Sequence, residues 1–353
     1  MNGRKWNMAP RKFLEAFCVV SLWIALSTSC TDKGALPEPE SDLGGLDGLT
    51  LRSLVKVNEY PFYVMRYYGD YGFSDYVRLG SGNADASVTL SGQRDTAWSC
   101  TCFVAFGSPG YPVFGRNFDW NYCVPLLLFT DPPHGYASVS MVDLEYYGYN
   151  RNNLPDDVNN RARLLRAPWL PFDGMNEKGV TVGMMAIPNA RSPHDPAKIT
   201  LGELEAIRLV LDFAGSTDEA IELMKKFNIR METPPIHYLI ADPTGRSAIV
   251  EFLDGTMYVM RNTEPWQVST NFILYGSGAP SNAPCWRYNA AYNHLRNSTG
   301  QLTSQAAMDL LKSVSQSTIW SIVYEMSAGG INVAVGKAYD KVLRYTLSDY
   351  VSK

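Results

Sequence analysis

The stretch that most restricts the fold of this chain is CTCFVAFGSPGYPVFGRNFDW, residues 100–120. Two apolar runs flank a short turn at residues 108–112 that is rich in glycine and proline. In the first run Phe103, Ala105 and Gly107 alternate with Val104 and Phe106, the two-residue period of a strand. Residues 113–120 form the second run, and the pattern predicts a β-hairpin. The second strand carries Arg116, Asn117 and Asp119. Arg116 and Asp119 fall on opposite faces of a regular strand. A bulge, or the end of the strand near Phe118, is needed to bring both toward Cys100.

These neighbours suit a reactive thiol. Only the thiolate attacks well, and a fixed guanidinium favours it. A carboxylate beside the thiol opposes ionisation unless it holds another cation. The α-amino group of Cys100 is such a cation if the chain is cut between Ser99 and Cys100. An N-terminal amine titrates at about 7.7–8.0, close to the optimum for a general base at neutral pH. One residue then supplies nucleophile and base, as N-terminal threonine nucleophiles do.

Cys100-Thr101 followed by Phe114-Gly115-Arg116-Asn117-Phe118-Asp119-Trp120 resembles the start of the mature chain in the choloylglycine hydrolase family. That group includes bile salt hydrolases and penicillin V acylases and, more distantly, acid ceramidase-like amidases and penicillin acyltransferases. The spacing to Arg116 fits from Cys100 and is two short from Cys102. The resemblance implies an N-terminal nucleophile (Ntn) hydrolase: an α+β, four-layer αββα sandwich with two antiparallel sheets. It also implies hydrolysis of a linear amide bond of an N-acyl compound after autocatalytic cleavage behind Ser99. Three more positions follow from it. The turn 176–179 and the strand after it match a family motif whose strand ends at the oxyanion hole. Bile salt hydrolases carry Asn there and penicillin V acylases Tyr; the count places Ala186, which can donate only its backbone N–H. This departure leans toward the broader amidase and acyltransferase branch. Asn271, in WQVSTNF, matches the family's oxyanion Asn, whose amide is a suitable donor. Arg287 matches an active-site Arg at a helix start. Surface solvation for Arg287 and a loop-capping role for Asn271 are the bland alternatives.

The 353 residues suffice for one large core or two small ones. A net charge of −4 gives no reason to expect a nucleic-acid partner. Residues 1–29 read as an export signal: Arg4, Lys5, Arg11 and Lys12 precede an apolar run over 13–26 that is short for a membrane span. Small residues before Cys30 resemble a bacterial lipoprotein processing site, with Leu26 one place early. Lipidation of Cys30 is therefore expected, with plain signal cleavage as the alternative. The protein is accordingly expected in the periplasm or cell envelope, touching membrane only through such an anchor. Residues 30–99 are expected to be a tether and pro-segment, and 100–353 the hydrolase domain. Within the pro-segment, 31–48 reads as flexible and 49–58 shows helical apolar spacing. An aromatic cluster spans 60–76, and a small, polar loop over 81–96 leads to the cut.

Six cysteines and four histidines show no metal-ligand spacing, so no metal and no cofactor is expected. A Cys102–Cys123 disulfide stays open. His237, at a strand start, reads as structural. Beyond the hairpin, strands are expected at 125–130, 136–144, 180–187, 237–242, 247–252, 256–261 and 266–272, and in three runs between 317 and 347. Helices are expected over 200–214 with a Thr200–Glu203 capping box, 217–227 with Thr217 as its cap, 285–296 and 303–314. The expected partner is a small-molecule N-acyl amide, and a homo-oligomer is left open. Two other functions compete: acyl transfer to an amine acceptor, and a non-catalytic cell-surface binding lipoprotein of the same fold. A Cys–His protease fits poorly, because no histidine lies in a recognisable context.

Overall fold

The computed structural model describes residues 44–79, 99–231, 234–278 and 282–351. The expected signal peptide, Cys30 and the loop 81–96 lie outside the described residues. Strands β1 (Val55–Asn58), β2 (Phe62–Arg66), β3 (Thr101–Ala105), β4 (Val113–Asp119), β5 (Pro125–Thr130) and β6 (Ser138–Asp143) come first. They are followed by β7 (Pro171–Asn176), β8 (Thr181–Ala186), β9 (Thr200–Gly202), β10 (Asn228–Arg230), β11 (Ile236–Ala241) and β12 (Ser247–Leu253). The last are β13 (Thr256–Arg261), β14 (Trp266–Ser269), β15 (Thr318–Glu325), β16 (Gly330–Val335) and β17 (Leu343–Thr346). The helices are α1 (Gly45–Arg52), α2 (Phe73–Leu79), α3 (Glu203–Phe213), α4 (Thr217–Met224), α5 (Trp286–Asn297) and α6 (Ser304–Ser313).

Two large sheets result. Nine strands run in the order β1-β2-β5-β6-β7-β8-β11-β12-β13, and six in the order β14-β3-β4-β15-β16-β17. Pairing is antiparallel in both except between β2 and β5, which run parallel. The largest core cluster fills the space between the sheets, where Cys102, Phe114, Phe118 and Trp320 are buried, and continues under α3, which covers Val182 and Met184. Helices α3 and α4 cover the far face of the nine-stranded sheet, and α5 and α6 that of the six-stranded one. The order helix, sheet, sheet, helix is the expected αββα sandwich, with one parallel pair that the sequence pattern does not announce.

The expected hairpin is β3–β4, with Cys102 opposite Arg116 and Thr101 opposite Asn117. Close packing of the second sheet on the first is set at Gly183, where an added Cβ would lie 3.1 Å from Cys102 Sγ and 3.3 Å from Arg116 Nη1. The turn before β8 needs Gly179 at φ +76°, conformational space that L-residues avoid.

Three local expectations are corrected. The helical spacing over 49–58 stops at Arg52; residues 55–58 pair with β2 as the outermost strand of the large sheet. Val55 and Val57 suit a strand better than a helix. The expected capping box does not form: Gly202 is the N-cap and only its N–H bonds, to Glu205 Oε2 at 2.8 Å, because residues 200–202 pair with β10 instead. Helix α4 is capped by Ser216, whose hydroxyl accepts from Glu219 N. Cys100, Cys102, Cys123 and Cys285 are free, so the Cys102–Cys123 bridge does not form.

The segment 44–79 is built into the fold. Besides the β2–β5 pairing, Phe62, Tyr63, Met65 and Phe73 are almost wholly buried. Tyr71 donates to both oxygens of Asp212, at 2.7 and 2.8 Å. Asp212 is paired in turn with buried Arg208 at 3.1 Å.

Candidate active site

Cys100 immediately precedes β3, and its side chain is wholly buried. Its backbone nitrogen donates to Asn271 Oδ1 at 2.5 Å. Asn271, two residues past β14, turns its Nδ2 to the Ala186 carbonyl at 2.8 Å. Arg287, in the first turn of α5, donates through Nη1 to the Cys100 carbonyl and, at 2.9 Å, to Thr101 Oγ1. Its Nη2 reaches Asn271 Oδ1 at 2.9 Å. The two sheets and α5 thus meet at the amino end of β3. The sequence expectation for Ala186 concerned its N–H; the contact observed is made by its carbonyl.

Arg116 approaches the sulfur from β4, with Nη2 3.9 Å from Cys100 Sγ. It is fully buried, and two groups of β7 hold it: the Phe172 carbonyl accepts from Nη1 at 2.7 Å, and Asp173 Oδ2 lies 3.1 Å from Nε. Asp173 also accepts from Tyr324 Oη at 2.6 Å and Trp320 Nε1 at 3.1 Å. Burial raises its carboxyl, with Arg116 opposing. Asp173 was not among the expected site residues. It lies in the FDGMNEKG block, where the turn carries the recognisable pattern. An acid three residues before a strand-joining turn is the only trace it leaves in the sequence.

Asp119 ends β4. The irregularity expected near Phe118 is found on the partner strand: Thr318 faces Asp119 and Trp320 faces Phe118, so Ile319 is an extra residue in β15. The Thr318 hydroxyl donates to Asp119 Oδ1. Oδ2 is buried with no hydrogen-bond partner among the described residues. Burial pushes the Asp119 carboxyl up to about 6; the Thr318 hydroxyl, the Arg287 charge, a backbone hydrogen bond from Gln316 and the Arg116 charge resist. Burial also raises the Cys100 thiol. Arg116 pulls it back, the Asp119 charge opposes, and a backbone hydrogen bond from Asp119 and the Arg287 charge favour the thiolate.

All the polar residues expected at the site converge on Cys100. Among the described residues no three His, Cys, Asp or Glu side chains gather as metal ligands, and no helix is long and apolar enough to cross a membrane.

Comparison with known proteins decides the family. Residues 100–277, just over half of the chain, match the linear amide C–N hydrolases of the choloylglycine hydrolase family. The chain belongs to this family. The match begins at Cys100. A penicillin V acylase of Pectobacterium atrosepticum is 24% identical over 212 residues, covering 56% of this chain. The chain spans 55% of that protein's length. Among solved structures, penicillin V acylase from Agrobacterium tumefaciens aligns with a TM-score of 0.51 at 18% identity, covering 70% of this chain and 86% of its own. A single-substitution variant of conjugated bile acid hydrolase from Clostridium perfringens aligns with a TM-score of 0.51 at 16% identity, covering 71% and 93%. At such identities these structures speak for the shared fold, and fold alone does not fix chemistry.

Proposed function

We propose that this member of the choloylglycine hydrolase family is an exported N-terminal cysteine amidohydrolase, made by self-cleavage between Ser99 and Cys100 and acting on N-acyl amides. The observation that carries the reading is the setting of the Cys100 backbone nitrogen. It lies against Asn271 Oδ1 at 2.5 Å. Asp119, which reaches the same cysteine through its backbone, keeps a buried carboxylate oxygen without a partner. A peptide N–H has one proton to give; an ammonium has three. An unpaired buried carboxylate is costly, and a new amino terminus is the cation it fits.

In the maturation step Cys100 Sγ attacks the Ser99 carbonyl carbon. The peptide C–N bond breaks, Cys100 N takes the proton that the thiol gives up, and a thioester links Ser99 to the sulfur. Water hydrolyses the thioester, leaving a Ser99 carboxylate and a free thiol. Departure of the Ser99 end uncovers the sulfur, which is closed off in the uncut chain. In turnover the α-amine takes the thiol proton and Arg116 steadies the thiolate. The thiolate attacks the substrate carbonyl carbon. The oxyanion takes the second Nδ2 hydrogen of Asn271 and the backbone N–H of Ala186; losing one such donor costs about 10²–10³ in rate. The leaving amine takes the proton from the α-ammonium, and water resolves the acyl-enzyme. Arg287 holds the Cys100 carbonyl and Asn271 in register. The amino-terminal signal pattern and Cys30 support a location in the cell envelope, with Cys30 lipid-anchored.

The test is hydrolysis of a panel of N-acyl amino acids, bile conjugates and penicillin V by wild-type and Cys100→Ala protein, with added amines as acceptors. Wild-type hydrolysis lost in Cys100→Ala supports the reading. Product formed only with an acceptor amine makes it an acyltransferase. No turnover and no cleavage make it a binding protein.

A further inference from the structure

We infer that His237 and Glu251 are positioning residues for Asn271, acting as a buried imidazolium–carboxylate pair that fixes both ends of the turn carrying it; this rests on the reading of Asn271 as a site residue. His237 on β11 and Glu251 on β12 lie on adjacent, paired strands of the first sheet, and both are completely buried. Their side chains reach the other sheet's margin. His237 Nε2 lies 2.7 Å from the Thr270 carbonyl, immediately before Asn271. Glu251 accepts from Leu274 N through Oε1 at 2.8 Å and from Tyr275 N through Oε2 at 3.0 Å. His237 Nδ1 meets Glu251 Oε1 at 2.8 Å. The segment 270–275 is therefore pinned at both ends to one pair of side chains, and Asn271 projects from between the pins to Cys100 N, Ala186 and Arg287.

Donor and acceptor chemistry sets the protonation. A carbonyl can only accept, so Nε2 carries a hydrogen. Glu251 already accepts from two backbone N–H groups, which favours its ionised form, so Nδ1 carries a hydrogen too. The Ser269 hydroxyl, 3.2 Å from Nε2, completes a Ser–His–Glu set of the residue types found in nucleophilic triads. It cannot act as one. With both ring nitrogens protonated and engaged, His237 has no lone pair to take a serine proton. The set fixes position.

Geometry links the pair to the chemistry through Asn271. His237 neighbours Ile236, which is paired with Ala186, so the same strand also sets the acceptor of the Asn271 amide. Loss of the pair frees the turn to move, and the oxyanion donor is misplaced while distant substrate contacts are untouched. The expected signature is a fall in kcat with KM little changed.

The experiment is a double-mutant cycle on the full chain: wild type, His237→Gln, Asn271→Ala and both, read as kcat, KM and rate of cleavage at residue 100. His237→Gln should lower kcat by about ten- to a hundredfold, short of the roughly 10²–10³ typical for losing the donor itself. In the Asn271→Ala background it should cost less than about twofold, since residues acting as one unit are non-additive. Equal costs in both backgrounds overturn the inference while leaving the hydrolase reading intact; a wild type with neither turnover nor cleavage overturns that reading instead. Should His237→Gln fail to fold, nitrogen NMR of the His237 ring in the Cys100→Ala protein decides. Two protonated ring nitrogens support the pair, and a neutral ring refutes it.

Discussion

If Asp119 waits for an ammonium that the uncut chain lacks, its charge must destabilise the precursor. The substitution Asp119→Asn, made on Cys100→Ala so that no cleavage intervenes, tests this. The Asp119 carboxyl is raised by burial from 3.8 to about 6. A group that holds its proton more tightly when folded lowers stability as pH rises from the unfolded to the folded value. At about 1.4 kcal/mol per unit the full loss is about 3 kcal/mol, of which about 2 kcal/mol falls between roughly pH 4.5 and 7.5. Asn keeps an oxygen for the Thr318 hydroxyl and removes the charge. The stability of Asp119→Asn relative to its parent should therefore improve by about 2 kcal/mol over that interval. With about 2.1 cal/mol/K of unfolding entropy per residue over roughly 300 residues, this is about 3 °C in Tm. Urea melts at the two pH values measure it, and the pH-independent cost of the substitution cancels in the difference. A difference that is flat with pH, or one in which the aspartate form gains, means that Asp119 is already paired in the precursor.

Other consequences are open to direct measurement. Asp173→Asn removes the charge that orients Arg116; breaking a buried pair costs about 3–5 kcal/mol, so a large drop in Tm and slowed cleavage at residue 100 should appear together. Arg116→Leu should move the pH midpoint of Cys100 alkylation by iodoacetamide in mature protein upward, and an unmoved midpoint would show that Arg116 does not tune the thiol. After cleavage the piece containing residues 44–79 should stay bound, held by the β2–β5 pairing and the buried Tyr71–Asp212 contact. Native mass spectrometry should find one particle and denaturing electrophoresis two chains; a native particle lacking the amino-terminal piece contradicts this.

How much of this was legible in the sequence depends on the range of the interaction. The β3–β4 hairpin and the strands at 125–130 and 256–261 are local patterns, and they form as read. Residues 55–58 and 200–202 were misread because each pairs with a strand that local periodicity does not see: β2 in one case, β10 in the other. The convergence of Asn271 and Arg287 on Cys100 was legible only through the family resemblance, since 171 and 187 positions separate them from it. Asp173 and Thr318 had no such aid. Their roles come from sheet order, which sets β7 across from Arg116 and β15 beside Asp119. The extra residue Ile319, which lets Thr318 face Asp119, is a matter of register. The pairing of His237 with Glu251 likewise needed the alignment of β11 with β12.

The central claim concerns one new amino terminus, and intact mass with amino-terminal sequencing of the purified protein measures it. The account predicts a polypeptide that begins at Cys100 in the wild type and no such polypeptide in Cys100→Ala. A wild-type protein that hydrolyses an N-acyl amide with the Ser99–Cys100 bond unbroken, or a Cys100→Ala protein still cut there, contradicts it.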